Sequence, residues 1–532
     1  RFPGKNYDRQ ALQILERKQA REALEQIGRS AARQFAGVPE AVVTSDTEAE
    51  LAVDDAHTAL AYTESVPKPD PAAVSAATQH IHDVTVKRLA LQAQLKAKYP
   101  AYYALQHPSP IDSTTLQKKI LNPGELLLIY DVGDTRTLLW VVGRDHFQLV
   151  TEPGTAQIQQ RVAALRAHTA RIQADVDKQM LPSQISDDAA QDLPGFAADS
   201  YALYTVLAPK SVRTTVSSAR ALVIIPTGPL YDLPFEALVT QDPAHATGRP
   251  HYLVQQHAIS YIPSASLLGV VRTSEQARRK APDPLLAFAR PAIGNAVVAV
   301  AASDTDTYAT EQTRAMRAVV GNSSQDLAAA FPDLPGSQVE ADDVRQVLNA
   351  PAASILTGDD ASRAKVLALN GSGQLKDYRY LLFATHAVLP DQIQGLTQPA
   401  LVLAHPENGD GFLTMADIFG LTLDADFVTL SACNTGAGPH AAGEGISGLT
   451  RAFLFAGTPA MSVTLWEVDD QVAPKLTPAF FASLNAGKSP AESLRLAKLT
   501  LINDSDARFA HPFSWAPTVV FGDGDTAIVE HP

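Results

Sequence analysis

Tyr378-Arg379-Tyr380-Leu381-Leu382-Phe383-Ala384-Thr385-His386 and, further on, Phe427-Val428-Thr429-Leu430-Ser431-Ala432-Cys433 are the stretches on which the fold turns. Each is a short, nearly continuous apolar run that stops at polar residues. Alternation would mark a strand with one wet face, whereas continuity marks a strand covered on both faces. Runs of the same kind recur at 284–289, 354–356, 400–403 and 460–465, with helical patterns at 337–348, 446–455 and 490–502 between them. Strands alternating with helices predict an α/β fold: a mainly parallel sheet with helices on both faces.

Working back toward the N-terminus, 125–132, 135–142 and 147–150 are β-branched and aromatic runs separated by Gly133-Asp134 and Gly143-Arg144-Asp145. That pattern predicts a β-meander. Helices are expected at 156–179 and 196–207, and buried strands at 220–226 and 258–263. The first hundred residues read as helix, at 7–35, 47–62 and 72–98, broken by Gly37-Val38-Pro39 and by the proline-rich linker 66–71. The expected division is a helical region over 1–110, an N-terminal α/β half over 111–280 and a second α/β half over 281–532. Residues 301–331, rich in Thr, Asp and Ser, are expected to form a surface loop.

The chain's 532 residues carry a formal charge of −14 at pH 7. An acidic balance argues against nucleic acid or an anionic membrane as the main partner, since both call for a basic footprint. No run is long and apolar enough for a membrane helix. The single cysteine, Cys433, excludes an internal disulfide and a Cys-based zinc site, which fits a cytoplasmic protein. No metal or cofactor is implied. The chain begins at Arg1, so upstream sequence is expected to precede it.

In a parallel sheet, ligands gather at the carboxyl ends of strands. His386 and Cys433 each follow such an end, with enough chain between them for one helical excursion and return. A thiol beside an imidazole is a standard way to make a nucleophile at neutral pH. Taken singly, each residue has a plainer reading. A cysteine after a buried strand is ordinarily a small hydrophobe, and a histidine there is ordinarily a structural hydrogen-bonding group. Gly443-Glu444-Gly445-Ile446-Ser447-Gly448 matches a dinucleotide fingerprint in letters only, because a ten-residue connection separates it from the preceding strand. A loop over 434–444, closing on the site, is the expectation instead.

Leu381 to His386, Phe427 to Gly436 and Gly443-Glu444-Gly445-Ile446 together resemble the CHAT family. These are caspase-like cysteine peptidases, related to separase and commonly coupled to tetratricopeptide repeats. The resemblance extends to Leu222–Leu230, Leu233–Leu238, Ser260–Ser266, Leu334-Pro335-Gly336-Ser337, Leu465–Asp470, Ala486–Glu492 and His511-Pro512 with Trp515. It implies a caspase-like fold with a pseudo-caspase-like first half, and the helical region as the end of an upstream repeat array. It further implies peptide-bond hydrolysis, with Cys433 as nucleophile and His386 as acid/base. The oxyanion would sit on the backbone N–H groups of Ala387 and Cys433. Ser431, Glu467, Asp469 and Asp470 would line the pocket for the residue before the scissile bond, and three carboxylates there would suit Arg or Lys. Where the family usually has glycine after the histidine, this chain has Ala387; a positive φ there would strain it.

The resemblance implies a protein substrate, a regulatory protein acting through the helical region, and a role in bacterial defence or signalling. Two rival readings stand beside the peptidase. One is a catalytically silent CHAT-like interaction scaffold, and the other is a thiol amidase acting on small molecules.

Overall fold

The structure is a computed structural model that describes residues 6–30, 40–65, 70–98, 110–275, 281–293, 331–389, 398–405, 411–431, 442–467 and 471–527, with 297–298, 325–326, 393 and 396 between them. The chain divides into two compact units. One comprises Arg17–Pro110, and the other comprises Arg1–Glu16 with Ile111–Pro532.

The smaller unit is helical. It takes in the later part of α1 (Tyr7–Ser30), then α2 (Glu40–Ser65) and α3 (Pro71–Lys98), and α2 packs on α3. The sequence pattern groups residues 1–110 together, yet the first turns of α1 belong with the larger unit. Leu12 and Leu15 are buried there with Leu127, Ile129 and Trp140. Glu16 accepts the backbone N–H groups of Ala265 (3.0 Å) and Ser266 (2.8 Å), at the start of the helix Ala265–Glu275. An apolar stripe shows that a helix packs, but it does not show against what.

The larger unit is built on one sheet of 11 strands. In chain order its strands are β1 (Glu125–Val132), β2 (Arg136–Gly143), β3 (Phe147–Pro153), β4 (Ala221–Ile225), β5 (Ala258–Tyr261), β6 (Asp283–Pro291), β9 (Ile355–Gly358), β10 (Tyr378–Ala384), β14 (Phe427–Ser431), β15 (Ala460–Thr464) and β16 (Thr518–Gly522). The interposed strands lie outside this sheet. β7 (Val297–Val298) and β8 (Gln325–Asp326) form a two-stranded ladder; β11 (His386–Val388), β12 (Ala400–Val402) and β13 (Phe412–Thr414) form a three-stranded one. Most of the loop expected at 301–331 lies outside the described residues.

Spatial order in the large sheet is β3-β2-β1-β4-β5-β16-β15-β14-β10-β6-β9. The β1–β3 meander is antiparallel. β1, β4, β5 and β16 then run parallel, as do β15, β14, β10, β6 and β9; the two sets meet antiparallel where β15 pairs with β16. Every residue of β4 and β15 is buried, so both faces of the sheet are covered. The expected α/β class, mainly parallel and layered with helices, is the one observed.

The closing strand β16 is therefore the seam. Gly522 ends it with φ 97°, and a Cβ there would sit 2.2 Å from the Pro459 carbonyl oxygen, so only glycine fits. The chain then delivers Asp523 to Arg272, whose guanidinium also forks onto Glu125 at 2.7 and 2.8 Å. Planar bidentate pairing of this kind fixes orientation as well as charge. It joins the first strand of the sheet to the last.

Candidate active site

Ala384, the last residue of β10, is in register with Ser431, the last residue of β14. Immediately beyond, the fully buried Thr385 donates its backbone N–H to the Ser431 carbonyl (3.2 Å) and its hydroxyl to the Val402 carbonyl. These two bonds steer the chain out of the large sheet into β11, where His386 lies opposite Val402.

The His386 ring is buried, and its centroid is 5.5 Å from that of Phe331. Nε2 is 2.8 Å from the Pro332 carbonyl oxygen. A carbonyl only accepts, so Nε2 carries the hydrogen and Nδ1 is the basic nitrogen of the neutral ring. Burial pushes the imidazole pKa below its ordinary value, with the Pro332 bond opposing. The ring is neutral at pH 7.

Pro332 is itself held in place. The next residue, Asp333, takes a fork from Arg290 at the end of β6, Nε to Oδ1 at 2.8 Å and Nη2 to Oδ2 at 2.6 Å. Arg290 also gives its backbone N–H to the Ser337 hydroxyl, which donates to the Leu334 carbonyl. The segment from Leu334 to Ser337 thus ties the edge of the sheet to the turn that carries Pro332. Neither Pro332 nor the Arg290–Asp333 pair is apparent as a site in the sequence, because a backbone carbonyl has no side-chain identity. The nearby Leu334–Ser337 motif was the available signal.

Ala387 is a buried β11 residue opposite Leu401, and its φ is not among the positive ones, so alanine is unstrained there. Ser431 is half-buried at the strand end. Cys433, two residues on, lies outside the described residues, as do Asp469 and Asp470. Glu467 lies within reach of the charge of Asp177, the last residue of the helix Thr155–Asp177. Burial, and then the negative charge of Asp177, pushes its carboxyl up to about 7. Its neighbour Trp466 donates Nε1–H to the Phe513 carbonyl (3.0 Å) and packs with Ile172 and Ile185.

The glycine-rich run from Gly443 to Gly448 is already helical, within Ala442–Ala456, so the connection expected over 434–444 ends earlier than the sequence implies. A Cβ on Gly448 would lie 2.8 Å from the Met415 sulfur, which gives this glycine a packing reason. Among the described residues, no group of three His, Cys, Asp or Glu side chains is placed to hold a metal. No described helix is long and apolar enough to cross a membrane.

A parallel sheet whose strand ends bring the His386 segment against Ser431 defines an α/β protein with its candidate site at the carboxyl edge. The chain belongs to the CHAT domain family, whose model matches residues 198–523, more than half its length. It is similar to tetratricopeptide repeat protein 28 of Homo sapiens, 25% identical over 367 residues, covering 60% of this chain and 13% of that protein. The Mus musculus protein of the same name is 34% identical over 133 residues, covering 23% of this chain and 5% of that one. Among solved structures it is similar to a Saccharomyces cerevisiae separase–securin complex, with 10% identity and a TM-score of 0.45, covering 97% of this chain and 41% of the solved one. A second structure of that complex gives 9% identity and a TM-score of 0.45. The chain thus spans a small part of the curated relatives it matches.

Proposed function

We propose that this CHAT-family chain is a cysteine endopeptidase acting on a protein substrate, with Cys433 as nucleophile and His386 as acid/base. One observation carries the reading: the Pro332 carbonyl fixes the His386 tautomer, leaving Nδ1 basic at the sheet edge where β14 ends two residues before Cys433.

In the proposed reaction His386 accepts the thiol proton and the thiolate attacks the substrate carbonyl carbon. The backbone N–H groups of Ala387 and Cys433 stabilise the resulting oxyanion. The intermediate collapses by expelling the amine, which takes the proton back from His386, and leaves a thioester. Water then attacks the thioester, giving up a proton to His386, and returns the thiol. Control by a protein partner acting through residues 1–110 is part of the proposal.

The test is N-terminal sequencing of the products formed when candidate protein substrates are incubated with wild type, Cys433→Ala and His386→Ala. Discrete new N-termini from wild type alone are expected. The same fragments from Cys433→Ala would assign the cleavage elsewhere and favour the scaffold reading.

A further inference from the structure

At the edge that bears Ser431, the sheet carries hydroxyls where a doubly covered sheet would be expected to carry Val or Ile. Thr429 is in register with Ser462 across β14 and β15, and Thr464 with Thr518 across β15 and β16. Ser431 and Thr464 each follow two residues after the first pair, so period-2 alternation puts them on the same face. These five residues line a cavity of ≈ 30 Å³, closed by Val472, Leu476, Thr477 and Phe480 along the segment that leads into and forms the helix Ala473–Asn485. By the usual measure it holds roughly two or three water-sized groups.

The lining is also chemically incomplete. Thr429 is 5% exposed, and its hydroxyl oxygen is buried with no hydrogen-bond partner. A buried unpaired hydroxyl costs about 1–3 kcal/mol. Thr477 donates its hydrogen to the buried Glu340 carboxylate at 2.7 Å, so its oxygen is left as an acceptor. A ligand group that both donates and accepts answers the two at once. Among the described residues the lining includes no carboxylate and no cation. A guanidinium or carboxylate placed there would lose its water and meet no counter-charge among the described lining residues, and the Glu340 carboxylate behind Thr477 already accepts that hydroxyl.

We infer that this cavity receives the side chain preceding the scissile bond, and that it selects a small hydroxyl-bearing residue, threonine or serine. The inference rests on the peptidase reading for its orientation, since Ser431 stands two residues before Cys433. Within that reading it replaces a basic preference by a small polar one. The hydroxyl of the ligand would pair with Thr429 and Thr477, and its carbon atoms would meet Leu476 and Phe480.

Binding separates the two ideas. N-acetylated peptides ending in threonine, alanine or arginine are titrated calorimetrically against the Cys433→Ala chain, where no turnover intervenes. The matching extended peptides are then offered to wild type. The threonine peptide is expected to bind about tenfold tighter than the alanine or arginine peptide, and Thr429→Val should erase most of that margin. Selective threonine binding without turnover of its extended peptide by wild type would keep the cavity and remove the peptidase. Turnover with arginine preferred would keep the peptidase and overturn the cavity assignment. No binding by any peptide, or a threonine margin untouched by Thr429→Val, also overturns it.

Discussion

The ring of His386 and the backbone of Pro332 are joined by a 2.8 Å hydrogen bond from Nε2–H to the carbonyl oxygen, and that bond decides which nitrogen can act as a base. Side-chain carboxylates often orient catalytic histidines, but they also raise ring basicity through their charge. A neutral carbonyl orients the ring with less effect on its charge. Here burial is the larger influence and keeps the imidazole unprotonated.

The pH profile should follow. The basic imidazole is the working form, and burial holds its pKa in the fold below the ordinary 6.5. As pH falls through 6.5, His386 therefore stays neutral and activity persists; the acid limb of kcat/KM should fall below that value. A peptide assay run across the acid range locates the limb. A midpoint at or above 6.5 would contradict a buried, neutral base.

Arg290 and Asp333 should act as positioning residues. Both are substantially exposed, so solvent screens the pair and it adds little to stability. Its consequence lies one residue away, in the aim of the Pro332 carbonyl. Asp333→Ala is expected to leave the melting temperature nearly unchanged while lowering kcat several-fold and moving the acid limb. Arg290→Lys keeps the charge but loses the fork, and should rescue little. Unchanged kcat in both variants would reduce the pair to a surface contact.

Much of this arrangement was legible in the residues, and the gaps have physical causes. The strand Phe427–Ser431 and the helix Pro490–Ile502 fall where apolar continuity and helical period put them. The run at 400–403 is also a strand, but β12 pairs with β11 and β13 in a side sheet. Continuity reports burial, not the identity of the sheet. The pairing of β16, antiparallel to β15 and parallel to β5, depends on partners distant in sequence. The cavity hydroxyls were hidden for a similar reason: Thr429, Ser462 and Thr518 converge only once the register is known. Glu467 reads as a charged carboxylate until its burial beside Asp177 is seen.

Glu467 gives a stability test with a definite sign. Its folded pKa is raised from 4.5 to about 7. The unfolded chain therefore releases the proton first, and the fold loses stability as pH rises from 4.5 to about 7, with no further loss above that. Glu467→Gln keeps the shape without the ionisation. It should stabilise at pH 8 by roughly 1–3 kcal/mol and change little near pH 4.5. Urea midpoints at the two pH values check this; an equal effect at both would place the cause in packing.

The buried pair Lys498–Glu236 should be the most sensitive point of the fold. Lys498 is fully buried on the helix Pro490–Ile502, with Nζ 3.2 Å from Glu236 Oε1 and 3.4 Å from the Ala516 carbonyl. Burial lowers its pKa, and the Glu236 charge opposes that shift. The other carboxylate oxygen accepts the Tyr261 hydroxyl at 2.5 Å, and that hydroxyl accepts the Phe235 N–H at 2.7 Å. One network therefore links the Leu233–Leu238 segment, β5 and the chain just before β16, the elements that meet at the sheet's seam. Removing one charge leaves the other buried without compensation. Lys498→Met should cost about 3–5 kcal/mol, measured as a shift of the urea midpoint at constant slope. Adding Glu236→Gln removes the stranded charge while keeping an acceptor for Tyr261, so the double variant should recover most of the loss. A single-variant cost below about 1 kcal/mol would mean that the pair is not charged in the fold, and a double variant no better than the single would move the cost from charge to shape.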